Sequence, residues 1–513
     1  MNTHSELPER RGPPAPRMEP TAATAPILRR LAEVEAAARA LEEPPAERRA
    51  LTERVFEFAS GLLDELAERP VWSDAAGARD ELLEQGIPEE PADLERVMDL
   101  VAREVDGPGL QPASGGHLGY IPGGGIYAGA LGDYLAAVTN RYAGVHYAGP
   151  GAVHLENLLL RWLCGLVGYP ASALGTLTSG GSIATLVAVV AARDAKGVRA
   201  REVERAAIYV TAQTHHCVAK AFAIAGLGEA PLREVAMDAG YRMDPRALAE
   251  SIGRDRAAGL APFLVVASAG TTDTGALDPL DELADVAGRE GLWYHVDAAY
   301  GGAFLLLESM RPRFRGIERA DSVVIDPHKG LFLPYGSGAV LVRDVAHLRP
   351  SHGLRGVYLQ DATDELDEPS PADLSPELTR HFRGLRMWLP LQVHGLARYR
   401  AALEEKRLLC RLFHERVRAL GCEVGPEPDL SVTMFRWVPR DGTDANAFNR
   451  RLHRAIRDDG RVFLSSTTID GVYWIRLAVL CFRTHLERVE AALEVIERET
   501  RAAPGLRHGA PGP

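Results

Sequence analysis

Apolar residues recur along this chain with two different periods, and each period predicts one kind of element. Between positions 27 and 69 the spacing is helical, and Pro44-Pro45 separates a first helix from a second one around positions 51 to 66. One face of the first helix carries an apolar stripe, Leu28, Leu31, Val34 and Ala38. Such an amphipathic segment needs an apolar surface to cover.

From about position 175 to 345, short apolar runs alternate with helical stretches. These runs predict buried strands at 206–211, 263–268, 292–297, 321–325 and 339–343. Alternation of this kind is typical of the α/β class, with a mainly parallel central sheet and helices on both faces. Polar or charged residues follow the runs, so they fall at the carboxyl ends of strands, where such sheets bind ligands.

Downstream, a long helix from about position 384 to 420 joins this core to a smaller α+β domain. That domain has predicted strands at 431–438, 462–465 and 472–480, and a closing helix at 486–498. We therefore predict five segments: a disordered tail at 1–25, an N-terminal helical segment at 26–110, a large domain at 111–385, a small C-terminal domain at 386–500 and a disordered tail at 501–513.

Composition narrows the possible functions. The 513 residues include 58 Lys and Arg against 70 Asp and Glu, which gives a net charge of −12. This negative net charge gives no positive electrostatic potential that would attract nucleic acid or an anionic membrane, so neither is expected as a partner. The uncharged run from Trp162 to Ala192 is long enough to span a bilayer, but Pro170 and Gly180-Gly181 interrupt it, and we interpret it as buried core.

Cysteine and histidine usage predicts neither a metal site nor a disulfide framework. The five cysteines, at positions 164, 217, 410, 422 and 481, are scattered and odd in number. His215 and His216 are adjacent, a spacing that does not suit chelation of one metal ion. The N-terminus has charges and prolines in place of the apolar stretch of a signal peptide, so the expected location is the cytoplasm.

The stretch 321–330 carries the leading candidate for chemistry. Its β-branched run is followed by Asp326-Pro-His-Lys329, which holds Lys329 at a strand end. Such a lysine is commonly a solvated surface residue, but in a partly desolvated pocket its pKa falls and its amine attacks carbonyl groups. Asp297 ends the preceding strand, 32 positions upstream, as suits neighbouring strands joined by a crossover helix and a loop. Pyridoxal phosphate needs such a pair, a lysine for its Schiff base and an acid for its ring nitrogen.

Four segments in a fixed order carry a family resemblance. They are Thr178-Ser-Gly-Gly-Ser182, Gly270-Thr-Thr272, His295-Val-Asp-Ala-Ala-Tyr300 and Asp326-Pro-His-Lys329. Together they resemble the group II pyridoxal phosphate-dependent decarboxylases, the aromatic amino acid and glutamate decarboxylase group, over roughly Pro26 to Arg498. The resemblance implies a fold-type-I, aminotransferase-like large domain that binds pyridoxal phosphate. It also implies a homodimer in which the N-terminal segment clasps the partner subunit.

The resemblance further implies a role for each matching residue. Lys329 forms the Schiff base, Asp297 keeps the ring nitrogen protonated, and His215 stacks on the ring. Ala299 packs near the ring on the side opposite His215, and Thr272 lies close to it. The phosphate side is held by Gly181, Ser182 and His328.

The turn at 175–182 predicts an anion site from its residues alone as well. Small residues lead into an apolar helix, and its free N–H groups and positive dipole end favour a phosphate. An ordinary capped helix, with Ser182 satisfying its own backbone, is the alternative. Thr272 as a strand cap and His215 as a satisfied loop histidine are the corresponding alternatives at those positions.

Glycine-rich and aromatic residues at 110–150 predict part of a substrate pocket. Glycines let the backbone approach a ligand closely, and the family has an equivalent Tyr-apolar-Pro segment at its substrate pocket. Tyr120 is therefore a candidate for substrate contact. The alternative is a loop whose aromatic side chains fill an interface.

The long acidic stretch at 351–382 departs from the family. Relatives carry there a loop tyrosine that reaches the partner's active site and protonates the intermediate after carbon dioxide leaves. The tyrosine of this stretch, Tyr358, lies earlier than that position. Either Tyr358 acts from a rearranged loop, another group donates the proton, or the intermediate reacts with oxygen and releases an aldehyde.

The sequence thus predicts an enzyme that removes the α-carboxylate of an L-amino acid as carbon dioxide. The aromatic stretch at 116–150 favours a substrate with an aromatic or apolar side chain. Three alternatives stay open: decarboxylation-dependent oxidative deamination, a lyase reaction on another amine, and a non-catalytic regulator or partner subunit that binds pyridoxal phosphate.

Overall fold

The computed structural model describes residues 21–74, 80–353 and 368–501. They divide into two compact units, one formed by residues up to Glu65 together with Ile87–Val101, and the other by the rest. The helices of the first hundred residues are α1 Ala25–Ala38, α2 Pro45–Glu65, α3 Asp80–Gln85 and α4 Leu94–Leu100. Residues 1–20 and 502–513 lie outside the described residues, so the two terminal tails stay predictions.

The first unit contains α1, α2 and α4. Pro45 is the first residue of α2. Proline is favourable there because the N–H that it lacks would have no hydrogen-bond partner inside the helix. Arg54 on α2 donates from Nε to Glu95 Oε1 on α4 at 2.6 Å. The apolar stripe of α1 is exposed to solvent in the single chain. The sequence pattern predicts that such a face covers another apolar surface.

The second unit holds the remaining elements. Three two-residue strands precede the main sheet, namely β1 Trp72–Ser73, β2 Gly109–Leu110 and β3 His117–Leu118. Besides α3, its helices are α5 Tyr127–Thr139, α6 Pro150–Val167, α7 Gly181–Ala195, α8 His216–Ile224, α9 Pro245–Ala257, α10 Leu280–Glu290, α11 Pro327–Gly330, α12 Arg349–His352, α13 Gly384–Ala419, α14 Ala445–Asp459 and α15 Leu486–Arg501.

A seven-stranded sheet forms the centre of this unit. Its strands are β4 Leu174–Thr178, β5 Ala206–Val210, β6 Leu232–Glu234, β7 Ala261–Ser268, β8 Trp293–Asp297, β9 Ser322–Ile325 and β10 Gly338–Val342, in the spatial order β4-β10-β9-β8-β7-β5-β6. β10 runs antiparallel to both neighbours and the other pairings are parallel. Helices α6, α7, α9 and α10 pack on the sheet, which buries its β-branched runs and confirms the predicted α/β class.

A five-stranded sheet lies after the long helix α13. Its strands are β11 Glu423–Val424, β12 Val432–Arg436, β13 Phe463–Ile469 and β14 Val472–Ala478, with β3 paired in parallel to β13 at the edge. Its apolar residues form a core separate from that of the main sheet. β3 comes from the glycine-rich stretch before the main sheet, so that stretch is built into the smaller sheet.

The connection between β8 and β9 differs from the prediction of a crossover helix. It consists of three 3-10 turns, Gly301–Leu306, Arg311–Phe314 and Ile317–Arg319. Glycine and proline recur in this connection, at Gly301, Gly302, Pro312 and Gly316, and they disfavour a continuous α-helix. Among the described helices, none is long and apolar enough to cross a membrane.

Candidate active site

A cavity of about 380 Å³ opens at the carboxyl edge of the main sheet. Its walls come from segments that follow five different strands, β4, β5, β7, β8 and β9. This is the edge at which α/β sheets place their ligands. Eight residues predicted from the sequence line the cavity together, Gly181, Ser182, His215, Thr272, Asp297, Ala299, His328 and Lys329.

Lys329 lies in the short helix α11, just beyond β9. Its Nζ is 3.0 Å from Oδ2 of Asp326, and 24% of its side chain is exposed. Burial pulls the pKa of Lys329 down, but the carboxylates of Asp326 and Asp297 outweigh burial and hold that pKa above its ordinary value. The shift is opposite to the lowered pKa considered for a desolvated lysine, because two acids stand beside the amine.

Asp297 is the last residue of β8 and lies on the strand next to β9. The register pairs Asp297 with Val324, two residues before Asp326. Asp297 Oδ1 accepts a hydrogen bond from the Ala299 N–H at 3.1 Å, which fixes the carboxylate at the cavity wall. The parallel pairing thus brings Asp297 to Asp326 and Lys329, which follow it by about 30 positions.

The turn before α7 forms another wall. Gly181 is the first residue of α7, and an ideal Cβ at Gly181 would lie 2.7 Å from Asp326 Oδ2. On the same side, His328 donates from Nδ1 to the Ser337 carbonyl oxygen at 2.5 Å. Burial lowers the pKa of His328, so its ring is neutral at neutral pH and its second nitrogen, Nε2, is an acceptor.

His215 caps the start of α8 and faces the same cavity. The N–H of Cys217 donates to His215 Nδ1 at 3.3 Å, so the proton of the neutral ring is on Nε2. Burial, assisted by the neighbouring His216 and Lys329, lowers the pKa of His215 although Asp297 opposes the shift. His216 is exposed, and its ring centroid is 4.2 Å from that of His215.

Arg476 on β14 connects the smaller sheet to the cavity. It is 3% exposed and donates to the carbonyl oxygens of Thr272 and Asp273, the latter from Nε at 2.9 Å. Its Nη1 donates to Ser465 Oγ at 2.8 Å. A buried guanidinium therefore positions the turn that carries Thr272.

Tyr120 lies outside the cavity lining. The residue is 57% exposed and its φ is +52°, a left-handed conformation that costs energy for an aromatic residue. Its N–H donates to Ser465 Oγ at 3.4 Å, and its ring centroid is 5.8 Å from that of Phe463. Ser465 links it through Arg476 to the Thr272 turn. Tyr358 lies outside the described residues.

Comparison with known proteins decides the family. Residues 77–437 match the model of the pyridoxal-dependent decarboxylase conserved domain. The chain belongs to this family.

Individual relatives agree with this membership. The chain is 34% identical to an aromatic-L-amino-acid decarboxylase of Bacillus atrophaeus over 79% of this chain and 85% of that one. It is 28% identical to a phenylacetaldehyde synthase of Arabidopsis thaliana over 87% and 94% of the two chains. The crystal structure of Oryza sativa TDC with PLP and tryptamine superposes with a TM-score of 0.85 at 28% identity, covering 89% of this chain and 98% of that one.

Membership confirms the predicted fold type, cofactor and reaction class. The protein is a fold-type-I carboxy-lyase that uses pyridoxal phosphate to decarboxylate an amino acid. The cavity itself suits that cofactor, because it offers an amine, a strand-end carboxylate and a helix start. Two buried polar atoms of its lining, Asp326 Oδ1 and Gln213 Oε1, have no hydrogen-bond partner among the described residues.

Sequence reasoning did not assign Asp326, Gln213 or Arg476 to the site. Asp326 was visible as the first residue of a motif, but only the fold shows that its carboxylate touches both Lys329 and Gly181. Arg476 had a usable signal, since it is a single charge within the apolar strand run 472–478. A charge at a buried strand position calls for partners, and here they are backbone carbonyl groups.

Substitution of Gly181 tests how tightly the start of α7 packs against Asp326. In Gly181→Ala, the new methyl group must displace the Asp326 carboxylate, so we expect the dissociation constant for pyridoxal phosphate to rise by at least about tenfold, or about 1.4 kcal/mol. Equilibrium titration of the cofactor-free protein measures it. Gly165→Ala is the matched control, because Gly165 is also helical and a Cβ there has no neighbour within 4 Å. Equal affinity of the two variants would contradict the packing.

Proposed function

We propose that this enzyme decarboxylates an aromatic L-amino acid and releases the corresponding amine. The observation that carries the proposal is the likeness to the aromatic-L-amino-acid decarboxylase of Bacillus atrophaeus, which extends over most of both chains. The surface around Tyr120 supports an aromatic substrate. Tyr120, Phe463 and His117 form a cluster of rings with centroids 5.8 to 6.1 Å apart, tied through Ser465 and Arg476 to the cavity wall.

We propose these roles on the cofactor side of the cavity. When bound, pyridoxal phosphate supplies an aldehyde that condenses with amines and a ring that accepts the electron pair left by the departing carboxylate. Lys329 would hold the cofactor through its side-chain amine. Asp297 keeps a proton on the ring nitrogen, since a carboxylate beside that nitrogen favours its charged form.

We assign the remaining predicted residues by the walls on which they lie. Gly181 and Ser182 at the start of α7 hold the phosphate, and His328 lies on the same, phosphate side of the cavity. His215 and Ala299 enclose the ring from its two faces. His215 is a neutral imidazole with its proton on Nε2, so it can donate a hydrogen bond to the substrate without adding charge.

An aldehyde-forming reaction is the second candidate. The family's loop tyrosine has no counterpart at its usual position, and one relative is named phenylacetaldehyde synthase. Tyr358 as the proton donor stays a prediction because it lies outside the described residues. A non-catalytic role is disfavoured, since Lys329, Asp297 and His215 are all retained in one cavity.

Gas exchange distinguishes the two products. We expect the cofactor-loaded enzyme to release carbon dioxide from an aromatic L-amino acid without consuming oxygen, because reprotonation retains the amine. Carbon dioxide release and oxygen uptake are measured in one vessel for each common L-amino acid. Oxygen uptake that matches carbon dioxide release would show that the product is the aldehyde and not the amine. Activity confined to acidic or basic substrates would overturn the aromatic assignment.

Substitution of Asp297 tests the proposed role of its carboxylate beside the ring nitrogen of the cofactor. Asp297→Ala should keep weak cofactor binding and lose turnover by about 100-fold or more, equivalent to about 2.7 kcal/mol of barrier. Asp297→Asn keeps the side-chain shape but removes the charge, and should lose a similar factor. Single-turnover carbon dioxide release at saturating cofactor measures both, with Lys329→Ala as the inactive reference. Full activity of either Asp297 variant would refute the electron-sink assignment.

We propose that the enzyme is a cytoplasmic homodimer. The dimer is supported by the exposed apolar face of α1, on which Ile27, Leu28, Leu31 and Val34 are 40–67% exposed. The location is supported by the cysteines, all five of which lie among the described residues as buried free thiols. Fractionation of producing cells tests the location.

A charge introduced on the apolar face of α1 tests whether the enzyme is a dimer. Leu31→Glu places a charge in the centre of the apolar stripe, so we expect it to weaken self-association. Sedimentation velocity over a concentration series measures the shift from dimer to monomer. Ala36→Glu is the control, because Ala36 is exposed on the side of α1 opposite the apolar stripe. A wild-type chain that sediments as a monomer, or a Leu31→Glu variant that associates as tightly as wild type, would contradict the assignment.

A further inference from the structure

Arg483 lies between β14 and α15 and binds two carbonyl groups of the glycine-rich stretch. Its Nη1 donates to the carbonyl oxygen of Gly124 at 2.7 Å and to that of Ala113 at 3.2 Å. These two residues are 11 positions apart in the chain, so one guanidinium nitrogen fastens both ends of the segment between them. Residues 113–124 are called the glycine-rich loop below.

The residue after Arg483 holds the same loop. The hydroxyl of Thr484, a fully buried residue, donates to the carbonyl oxygen of Gly115 at 2.7 Å. A Cβ at Gly115 would lie 2.3 Å from the carbonyl oxygen of Arg483, so a residue with a side chain does not fit there. The backbone of the loop therefore packs directly on the segment that carries Arg483.

Lys406 on α13 fixes that segment from the other side. Its side chain is fully buried, and its Nζ donates to Glu405 Oε2 at 2.7 Å and to the carbonyl oxygens of Phe482, at 3.4 Å, and Thr484. A buried ammonium needs such acceptors to replace its lost hydration. Two of these acceptors flank Arg483 in the chain, so Lys406 orients the backbone from which the guanidinium reaches the loop.

The glycine-rich loop in turn lies against the residue that is proposed to hold the cofactor. A Cβ at Gly123 would lie 2.2 Å from the carbonyl oxygen of His328 and 2.7 Å from that of Lys329. Tyr120 is three positions before Gly123 in the same loop. The position of the Tyr120 ring relative to Lys329 therefore depends on how the loop closes.

Arg483 has few other partners. Within the described ranges it forms no ion pair with an acidic side chain, and its guanidinium carbon lies 4.3 Å from the centroid of the Phe482 ring. It also does not belong to the lining of the cavity. Hydrogen bonds from a charged donor are stronger than those from a neutral one, so the two carbonyl contacts hold the loop firmly.

We propose that Arg483 is a positioning residue for the substrate: by fastening Ala113 to Gly124 it holds Tyr120 at the substrate side of the cavity, and Lys406 orients the segment from which it acts. This inference rests on the proposed function, in which the rings around Tyr120 contact an aromatic side chain. A loosened loop weakens substrate binding, whereas the cofactor residues are built on the main sheet and keep their places.

Substitution of Arg483 tests this role through the two kinetic constants. Arg483→Ala removes both carbonyl contacts, so we expect KM for the preferred aromatic L-amino acid to rise about tenfold or more while kcat stays within about threefold. Arg483→Lys keeps the charge, but its ammonium is nearer the backbone than Nη1 and cannot reach both carbonyl groups, so KM should stay at least about threefold above wild type. Initial rates of carbon dioxide release at saturating pyridoxal phosphate measure both constants.

Arg440→Ala is the control for these variants, because Arg440 is an exposed arginine in the loop between β12 and α14. It should keep the wild-type KM. An unchanged KM in Arg483→Ala would overturn the proposal. So would a wild-type KM in Arg483→Lys, because the positive charge alone would then account for the effect.

Hydrogen exchange gives a readout that needs no substrate. In Arg483→Ala and in Lys406→Met, backbone amides of residues 113–124 should exchange at least about tenfold faster than in wild type, while those of β7 and β8 keep their wild-type rates. Mass spectrometry of the full-length, cofactor-loaded protein measures both regions. Unchanged exchange in the loop, or an equal rise in β7 and β8, would overturn the proposal. A wild-type enzyme inactive on every aromatic L-amino acid would instead overturn the proposed function, and the exchange rates would still show whether Arg483 closes the loop.

Discussion

Charge balance around Lys329 governs the site. Parallel strands end at the same sheet edge, so β8 and β9 necessarily deliver Asp297 and Asp326 to the same small volume as the lysine. An unpaired buried charge costs several kcal/mol, and one ammonium can neutralise only one of the two acids. The raised pKa of Lys329 is a consequence of this arrangement. The rigid sheet keeps both acids in place beside the amine.

The smaller sheet contributes to the cavity through Arg476. A guanidinium that is almost fully buried has to satisfy several donors, and Arg476 does so with two carbonyl oxygens of the 272–273 turn and the hydroxyl of Ser465. Because Ser465 also accepts from the N–H of Tyr120, one hydrogen-bonded group joins the glycine-rich stretch, the smaller sheet and the cavity wall. The strained φ of Tyr120 is held by these contacts and by the ring of Phe463.

Local sequence signals predicted the elements well where burial and periodicity coincide. The strand ends at Asp297 and before Lys329, the break at Pro45 and the long helix after position 384 all follow from patterns within a few residues. The antiparallel insertion of β10 between β4 and β9 does not, because strand order depends on long-range pairing. For the same reason the roles of Asp326 and Arg476 required the fold. Gly181 lies well over a hundred positions before Asp326, and the carbonyl partners of Arg476 lie 203 and 204 positions before it.

Residues that hold the cofactor do not by themselves determine the product. The outcome depends on how quickly the carbon that has lost carbon dioxide receives a proton, compared with its reaction with oxygen. Near the cavity, His215 carries its proton on Nε2 as a neutral imidazole, because burial lowers its pKa and the Cys217 N–H occupies Nδ1. A neutral imidazole is a weaker acid than a phenol, whose pKa is about 10. The residues proposed to bind the cofactor therefore suit the decarboxylation step in either case. The choice between amine and aldehyde depends on the strength and reach of the donor that supplies the proton.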